Sequence, residues 1–147
     1  FSRKVCTNII PSAKARALEA NAKKKIFVLD DSLTTRTLQR SILVNCGYQV
    51  EVCGNPKEAL KVLSENHFDL IVTDHEMPYL TGVEFVGKLR ENKAYSKTPV
   101  IVLTSIKERI ARKIYADIDI KEFMQKDNFE QSKFLSYISK YLNDKNS

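Results

Sequence analysis

Three carboxylates, two hydroxyls and one ammonium are distributed along the chain as Asp30-Asp31, Asp74, Thr104-Ser105 and Lys126. Singly, each has an ordinary reading. Asp31 ahead of a helix serves as an N-cap, Thr104 caps another helix, Asp74 belongs to a loop before Pro78, and Lys126 is a solvated lysine. Brought to one rim, they do different chemistry. Packed carboxylates repel one another, so either some hold protons or a cation sits between them. An all-oxygen set with few protein ligands suits Mg²⁺, which keeps waters and shares a phosphate. A lysine and hydroxyls beside that cation hold the remaining phosphoryl oxygens. One carboxylate is then free to act as a nucleophile and become an acyl phosphate.

Such a rim needs elements that end together. Ile26-Phe27-Val28-Leu29 is a short apolar strand running into Asp30-Asp31-Ser32. A helix follows with Leu38, Ile42 and Leu43 on one face, and it ends at Asn45-Cys46-Gly47, where glycine suits a left-handed C′ position. Tyr48 to Cys53 reads as a second strand, and Pro56 opens a helix through Ala59, Leu60 and Leu63. Phe68 to Thr73 is a third strand ending at Asp74, followed by a helix marked by Val83, Phe85, Val86 and Leu89. Pro99 to Leu103 is a fourth strand, and Ile106, Ile110, Ile114 and Ile118 step by four along the fourth helix. Glu122 to Gln125 is a short fifth strand, and Phe134, Leu135, Ile138 and Leu142 line the fifth helix. Strands alternating with helices predict an α/β fold whose parallel sheet is covered on both faces. The near-continuous apolar strands agree, because parallel strands are buried on both sides. In such a sheet the ligand site lies outside the carboxyl ends of the strands, where all six residues fall.

Composition narrows the context. The 147 residues make one ordinary domain with a margin to spare, large enough to need no disulfide or metal staple. Hydrophobic residues at 43% and charged residues at 29% exclude a disordered chain. No apolar run approaches the ~18–20 residues of a membrane span, so no membrane insertion is expected. Cys6, Cys46 and Cys53 have no C-x-x-C spacing, which argues against zinc and against a disulfide framework and makes a reducing cytoplasm the default. The net charge of +6 resides wholly in residues 1–25, which hold seven bases and only Glu19 as an acid, leaving 17 of each in the remainder. With no aromatic interleaving, this leader reads as a basic linker, partly helical or disordered, ahead of a folded domain at 26–147, and no direct nucleic-acid binding is expected.

Four segments, in order and separated by helices, resemble the receiver domain of two-component response regulators, including the chemotaxis (CheY-like) type. They are Val28-Leu29-Asp30-Asp31-Ser32, Asp69 to Pro78 followed by Gly82, Pro99 to Ser105, and Phe123-Met124-Gln125-Lys126. The resemblance covers about residues 26–143. It implies a flavodoxin-like doubly wound (βα)5 fold with a five-stranded parallel sheet in the order 2-1-3-4-5. It implies Asp74 as phosphoacceptor, Mg²⁺ held by Asp31 directly, Asp30 indirectly, Asp74 and the backbone carbonyl of Glu76, and phosphoryl contacts from Thr104 and Lys126. Phe123 falls at the family's switch aromatic, which moves as Thr104 moves. The phosphoryl donor would be a histidine kinase phosphodonor domain, and a downstream signalling protein would dock on the fourth-helix, fifth-strand and fifth-helix face. There Lys107, Arg109, Arg112 and Lys113 face away from the isoleucine stripe, opposed locally by Glu108. Such a domain catalyses its own phosphorylation and dephosphorylation and is not a metabolic enzyme. The non-methionine start and basic leader lead us to expect a module from the C-terminus of a larger protein, a hybrid chemotaxis histidine kinase first and a stand-alone regulator second.

Departures from the family pattern carry expectations of their own. Ser105 stands where a smaller residue is usual, and Asp119 stands near a usual glycine, where aspartate tolerates a left-handed turn. Asp127 replaces the proline after the lysine. A non-proline cis bond costs ~2.5–4 kcal/mol, so a trans Lys126–Asp127 bond is expected, with Lys126 still directed at Asp74 and Asp127 capping the last helix. Glu76 sits where phosphoryl lifetime is tuned, by positioning or repelling water. His67 and His75 read as surface residues. Two alternatives remain: a docking module that has lost phosphorylation, and an aspartate-nucleophile phosphohydrolase. The latter wants D-x-D-x-T/V, whereas Asp30-Asp31-Ser32-Leu33-Thr34 misses the second aspartate. No phosphate- or dinucleotide-binding glycine motif is present.

Overall fold

The computed structural model describes residues 11–143. Five strands, β1 (Lys25–Leu29), β2 (Gln49–Cys53), β3 (Leu70–Asp74), β4 (Val100–Thr104) and β5 (Glu122–Gln125), pair in parallel in the order β2-β1-β3-β4-β5. The helices are α1 (Pro11–Asn21), α2 (Leu33–Asn45), α3 (Pro56–Glu65), α4 (Gly82–Arg90), α5 (Glu108–Ile114) and α6 (Gln131–Asn143). Because α1 belongs to the leader, the fourth and fifth helices of the sequence reading are α5 and α6.

Alternate side chains of the central strands feed two separate cores, as a sheet buried on both faces requires. Phe27, Leu29, Ile71 and Val102 pack with Leu63, Phe85, Leu89 and Ala111 from α3, α4 and α5. Ile26, Val28, Val72 and Leu103 pack with Ile42, Leu43, Phe134 and Ile138 from α2 and α6. Every residue of β3 and β4 is buried, whereas the edge strand β2 alternates between exposed and half-buried, so burial on both sides stops at the edge.

Helix ends follow local chemistry. Ser32 is the N-cap of α2, its hydroxyl accepting from Thr35 N–H, and Gly47 takes φ 97° after the Cys46 C-cap. Asn55 caps α3 ahead of Pro56, and Thr81 with Glu84 forms a capping box on α4. Asp31 is therefore not the cap of α2, and the N-cap position of α5 is Lys107 rather than Thr104.

Several expectations are corrected. Leu38 is 52% exposed and Gln39 takes the inward position of α2. A helix stripe advances by 3.6 residues per turn, so Ile42 and Leu43 turn Gln39 inward and leave Leu38 at the edge. The fourth helix stops at Ile114, and Ile110 and Ile114 are exposed while Ala111 and Tyr115 are buried. A strict step of four drifts off a 3.6-residue period, and the larger Tyr115 claims the core position. Asp119 has no positive φ; among the described non-glycine residues only Tyr79 does, at 72°. Asp127 does not cap α6, which begins at Gln131. The Lys126–Asp127 bond is trans, as no described peptide bond is cis. Cys46 is buried and Cys53 half-buried, while Cys6 lies outside the described residues, as do the leader bases Arg3 and Lys4.

Candidate functional site

Strand register brings the chemistry together. Leu29 lies opposite Cys53 and Thr73, Asp74 opposite Leu103, and Thr104 opposite Gln125. The residues one step beyond each pairing therefore emerge at one carboxyl rim. Asp30, Asp31 and Asp74 each present an oxygen there, all within 4.8 Å of one another. Asp30 and Asp74 are both 2% exposed, and Asp31 is open to solvent.

The cluster is electrostatically tense. Burial, then the neighbouring Asp30 charge, push the Asp74 carboxyl up to about 7. Lys126, whose Nζ lies 2.5 Å from Asp74 Oδ1, opposes this without cancelling it, since the same ammonium is shared with Glu76 Oε1 at 3.0 Å. Burial likewise raises Asp30, reinforced by Asp31, despite the Ser32 N–H donated to its Oδ1 at 2.8 Å. Buried carboxylates held above their ordinary range, all through oxygen, fit a hard divalent cation, so the donor set suits Mg²⁺.

Glu76 behaves differently. Burial pushes its carboxyl up, but bonds from Thr104 and Lys126, the Lys126 charge and the Ser105 N–H more than offset that and hold it down to about 2. Thr104 Oγ1 donates to Glu76 Oε2 at 2.6 Å, and Ser105 N–H reaches both carboxylate oxygens at 3.3 Å. The Glu76 N–H donates to Asp74 Oδ1 at 3.0 Å, tying the loop after β3 to the acid. Burial alone pulls the Lys126 ammonium down, yet its bonds to Asp74 and Glu76 leave it raised.

Phe123, the expected switch aromatic, is 7% exposed, edge-on to Tyr115 at 5.3 Å and with the Arg112 guanidinium 5.3 Å from its ring centre. A cavity of about 250 Å³ extends from the acids between Thr35, Leu38, Gln39, Leu103 and Phe129. Asp30, Asp31, Asp74, Glu76, Thr104, Ser105 and Lys126 thus meet on this rim, whereas Phe123 lies beneath it in the core.

Two features were missed. For Glu76 the expectations were a backbone carbonyl on the metal and a side chain that positions or repels water; the engagement of its carboxylate with Thr104, Ser105 and Lys126 was not among them, and its place two residues after Asp74 was the available signal. His75, read as a surface residue, is 8% exposed, and its Nδ1 lies 2.6 Å from the Tyr115 hydroxyl. Burial, followed by the Lys126 charge, pulls this imidazole down against the pull of Glu76. No local pattern announces a pair forty residues apart. His67 is exposed and pairs with Asp69, in keeping with its surface reading.

The profile of the family described as "Response regulator receiver domain" matches residues 26–139. Among curated proteins, "Probable transcriptional regulator ycf29" of Pyropia yezoensis is 39% identical over 82 residues, spanning 56% of this chain and 36% of that protein. The chain thus covers about a third of that relative's length. Among solved structures, chemotaxis protein CheY4 of Vibrio cholerae is 28% identical with a TM-score of 0.76, covering 81% of this chain and 98% of that one. Response regulator TrrA of Thermotoga maritima, solved in complex with Mg²⁺-BeF, is 28% identical with a TM-score of 0.71, covering 81% and 99%. With the doubly wound sheet and the acidic rim already in place, the profile match over most of the chain leads to one assignment: the chain belongs to the response regulator receiver domain family.

Proposed function

We propose that this receiver domain accepts a phosphoryl group on Asp74 from a histidine kinase in a Mg²⁺-dependent step and thereby switches its partner-binding surface. The observation that carries this is the Asp74 carboxylate, buried in a three-carboxylate cluster with the Lys126 ammonium 2.5 Å away. An Asp74 oxygen attacks phosphorus, the bond from phosphorus to the donor nitrogen breaks, and its electron pair stays with the departing imidazole. Mg²⁺ held by Asp30, Asp31, Asp74 and the Glu76 carbonyl would neutralise charge on the transferring group. TrrA, a relative solved with Mg²⁺-BeF, supports that ion as cofactor. Lys126 and Thr104 would take the phosphoryl oxygens, drawing Thr104 toward the new charge and shifting Phe123 with it.

The output would leave through α5, β5 and α6, where Arg109, Arg112 and Lys113 surround the exposed Ile110 and Ile114. Likeness to CheY4 favours a chemotaxis pathway, and the absence of any described helix long and apolar enough to cross a membrane fits a cytoplasmic setting. Incubation with acetyl phosphate and Mg²⁺ should add one phosphoryl group by intact mass, lost in Asp74→Asn. A folded, Mg²⁺-binding domain with no mass addition would instead be a docking module. Steady phosphate release from many small phosphoesters would mark a phosphohydrolase.

A further inference from the structure

We infer that the Glu76 carboxylate is an internal occupant of the phosphoryl-oxygen seat, holding Thr104, Ser105 and Lys126 in the unphosphorylated domain and leaving when a phosphoryl group arrives. This rests on Asp74 being the phosphoacceptor. The seat is defined by its donors. Thr104 Oγ1 gives one bond at 2.6 Å, the Ser105 N–H reaches both oxygens at 3.3 Å, and Lys126 Nζ stands 3.0 Å from Oε1. A hydroxyl, a backbone N–H and an ammonium converging on one anion form an oxyanion-binding set, and the anion they hold is already present. Glu76 is not one of the carboxylates gathered within 4.8 Å of one another, so its side chain serves the donors rather than the cation cluster.

Burial explains why the seat is filled. Thr104 is fully buried; its Oγ1 already accepts the Ile106 N–H at 3.0 Å, and its hydroxyl proton needs an acceptor of its own. Glu76 satisfies it, and shares Lys126 with Asp74, so one ammonium spans the acceptor carboxylate and the seat beside it. The side chain can nevertheless depart. It is 35% exposed and sits on a two-carbon stem, whereas its backbone N–H stays bonded to Asp74 Oδ1. A phosphoryl group on Asp74 would present its own oxygens to the same three donors, so the two anions compete. If the seat is closed nine-tenths of the time, apparent affinity for an incoming anion falls about tenfold.

The test is Mg²⁺-beryllofluoride binding to the full chain by titration calorimetry, comparing the wild type with Glu76→Ala and Glu76→Asp. Glu76→Ala should bind about tenfold more tightly, because its competitor is gone. Glu76→Asp keeps the charge but falls about 1.5 Å short of Thr104 and Lys126, so it should behave like Glu76→Ala. Equal affinity in wild type and Glu76→Ala overturns the inference. Tight binding by Glu76→Ala with wild-type affinity in Glu76→Asp also overturns it, since general charge repulsion would then suffice. Wild-type binding together with either result leaves the receiver reading standing, while failure of all three folded proteins to bind removes both. Should a variant not fold, the wild type decides: the Glu76 carboxyl carbon resonance should move on adding Mg²⁺-beryllofluoride, and an unmoved resonance refutes displacement.

Discussion

Two acids two residues apart, one closing β3 and the other in the loop after it, are pushed in opposite directions by their surroundings. Asp74 is raised from 3.8 to about 7 by burial and by Asp30, whereas Glu76 is lowered from 4.5 to about 2 because its donors outweigh its burial. The sign of each effect on stability follows from proton linkage. The folded state holds the Asp74 proton more tightly than the unfolded chain, so this contribution is complete below about 3.8 and is lost as pH rises through about 7. Glu76 contributes above about 4.5 and loses that contribution as pH falls toward about 2. Metal-free unfolding free energy should therefore decline between about pH 5 and pH 8, and saturating Mg²⁺ should reverse the decline. Asp30→Asn should flatten the same slope by removing one of the repelling charges. Urea titrations at the two pH values, with and without Mg²⁺, check this. A stability that climbs steadily to the alkaline end without metal would contradict it. Both carboxylates were legible as site residues from their place at the end of β3 and just after it, but their charge states were not. Those depend on which donors reach each oxygen, and that is settled by packing of β3 against segments 28 and more residues further along the chain.

At the scale of elements, the site rests on how strands and helices are held in register. Gly82, the first residue of α4, lies against the loop after β3; an added Cβ would strike the Tyr115 hydroxyl, the His75 Cα at 2.9 Å and the Asp74 carbonyl at 3.0 Å. Gly82→Ala should cost about 1–3 kcal/mol as overpacking against backbone, and should slow phosphoryl uptake by displacing Asp74. A variant of unchanged stability and rate would show that this contact does not position the acid. Arg90 supports the opposite end of the sheet, donating to the carbonyls of Tyr95, Thr98 and Asp119, each at 2.7 Å. Removing it leaves three carbonyls to find water, so Arg90→Ala should destabilise by about 2–4 kcal/mol, from charge-assisted bonds of about 1.5–3 kcal/mol each partly replaced by solvent. Arg90→Lys should recover little, as an ammonium lacks the guanidinium fork; chemical denaturation of the pair tests this, and full recovery by lysine would refute it. Sequence periodicity located every strand and helix of the sheet, because continuous apolar runs and capping residues are local signals. It misjudged which faces turn inward on α2 and α5, where Gln39, Ala111 and Tyr115 occupy the core instead of Leu38, Ile110 and Ile114. Spacing by four describes a helix, but the partner surface decides which neighbouring residue fills it.

For the whole molecule, the leader and the receiver fold are joined by a small contact. Asn21 Nδ2 donates to the Cys46 carbonyl at 2.7 Å and Gln49 Nε2 to the Ala22 carbonyl at 2.7 Å, while Leu18 packs beside Gly47. These contacts lie at α2 and β2 and touch none of the acidic rim. Removing residues 1–22 should therefore lower unfolding free energy by about 1–3 kcal/mol, the scale of two net hydrogen bonds, and leave the phosphorylation rate unchanged. A well-folded truncated domain that no longer takes up phosphoryl would tie the leader to the site. With the acids gathered by the doubly wound sheet, the proposed phosphoryl transfer makes Asp74, and no other carboxylate of the rim, an acyl phosphate. The most direct measurement treats the domain with acetyl phosphate and Mg²⁺, reduces any acyl phosphate with borohydride and sequences the peptides by mass spectrometry. Homoserine is expected at position 74 alone; homoserine at position 30 or 31, 5-hydroxynorvaline at position 76, or neither alcohol in a folded Mg²⁺-loaded domain, would contradict this.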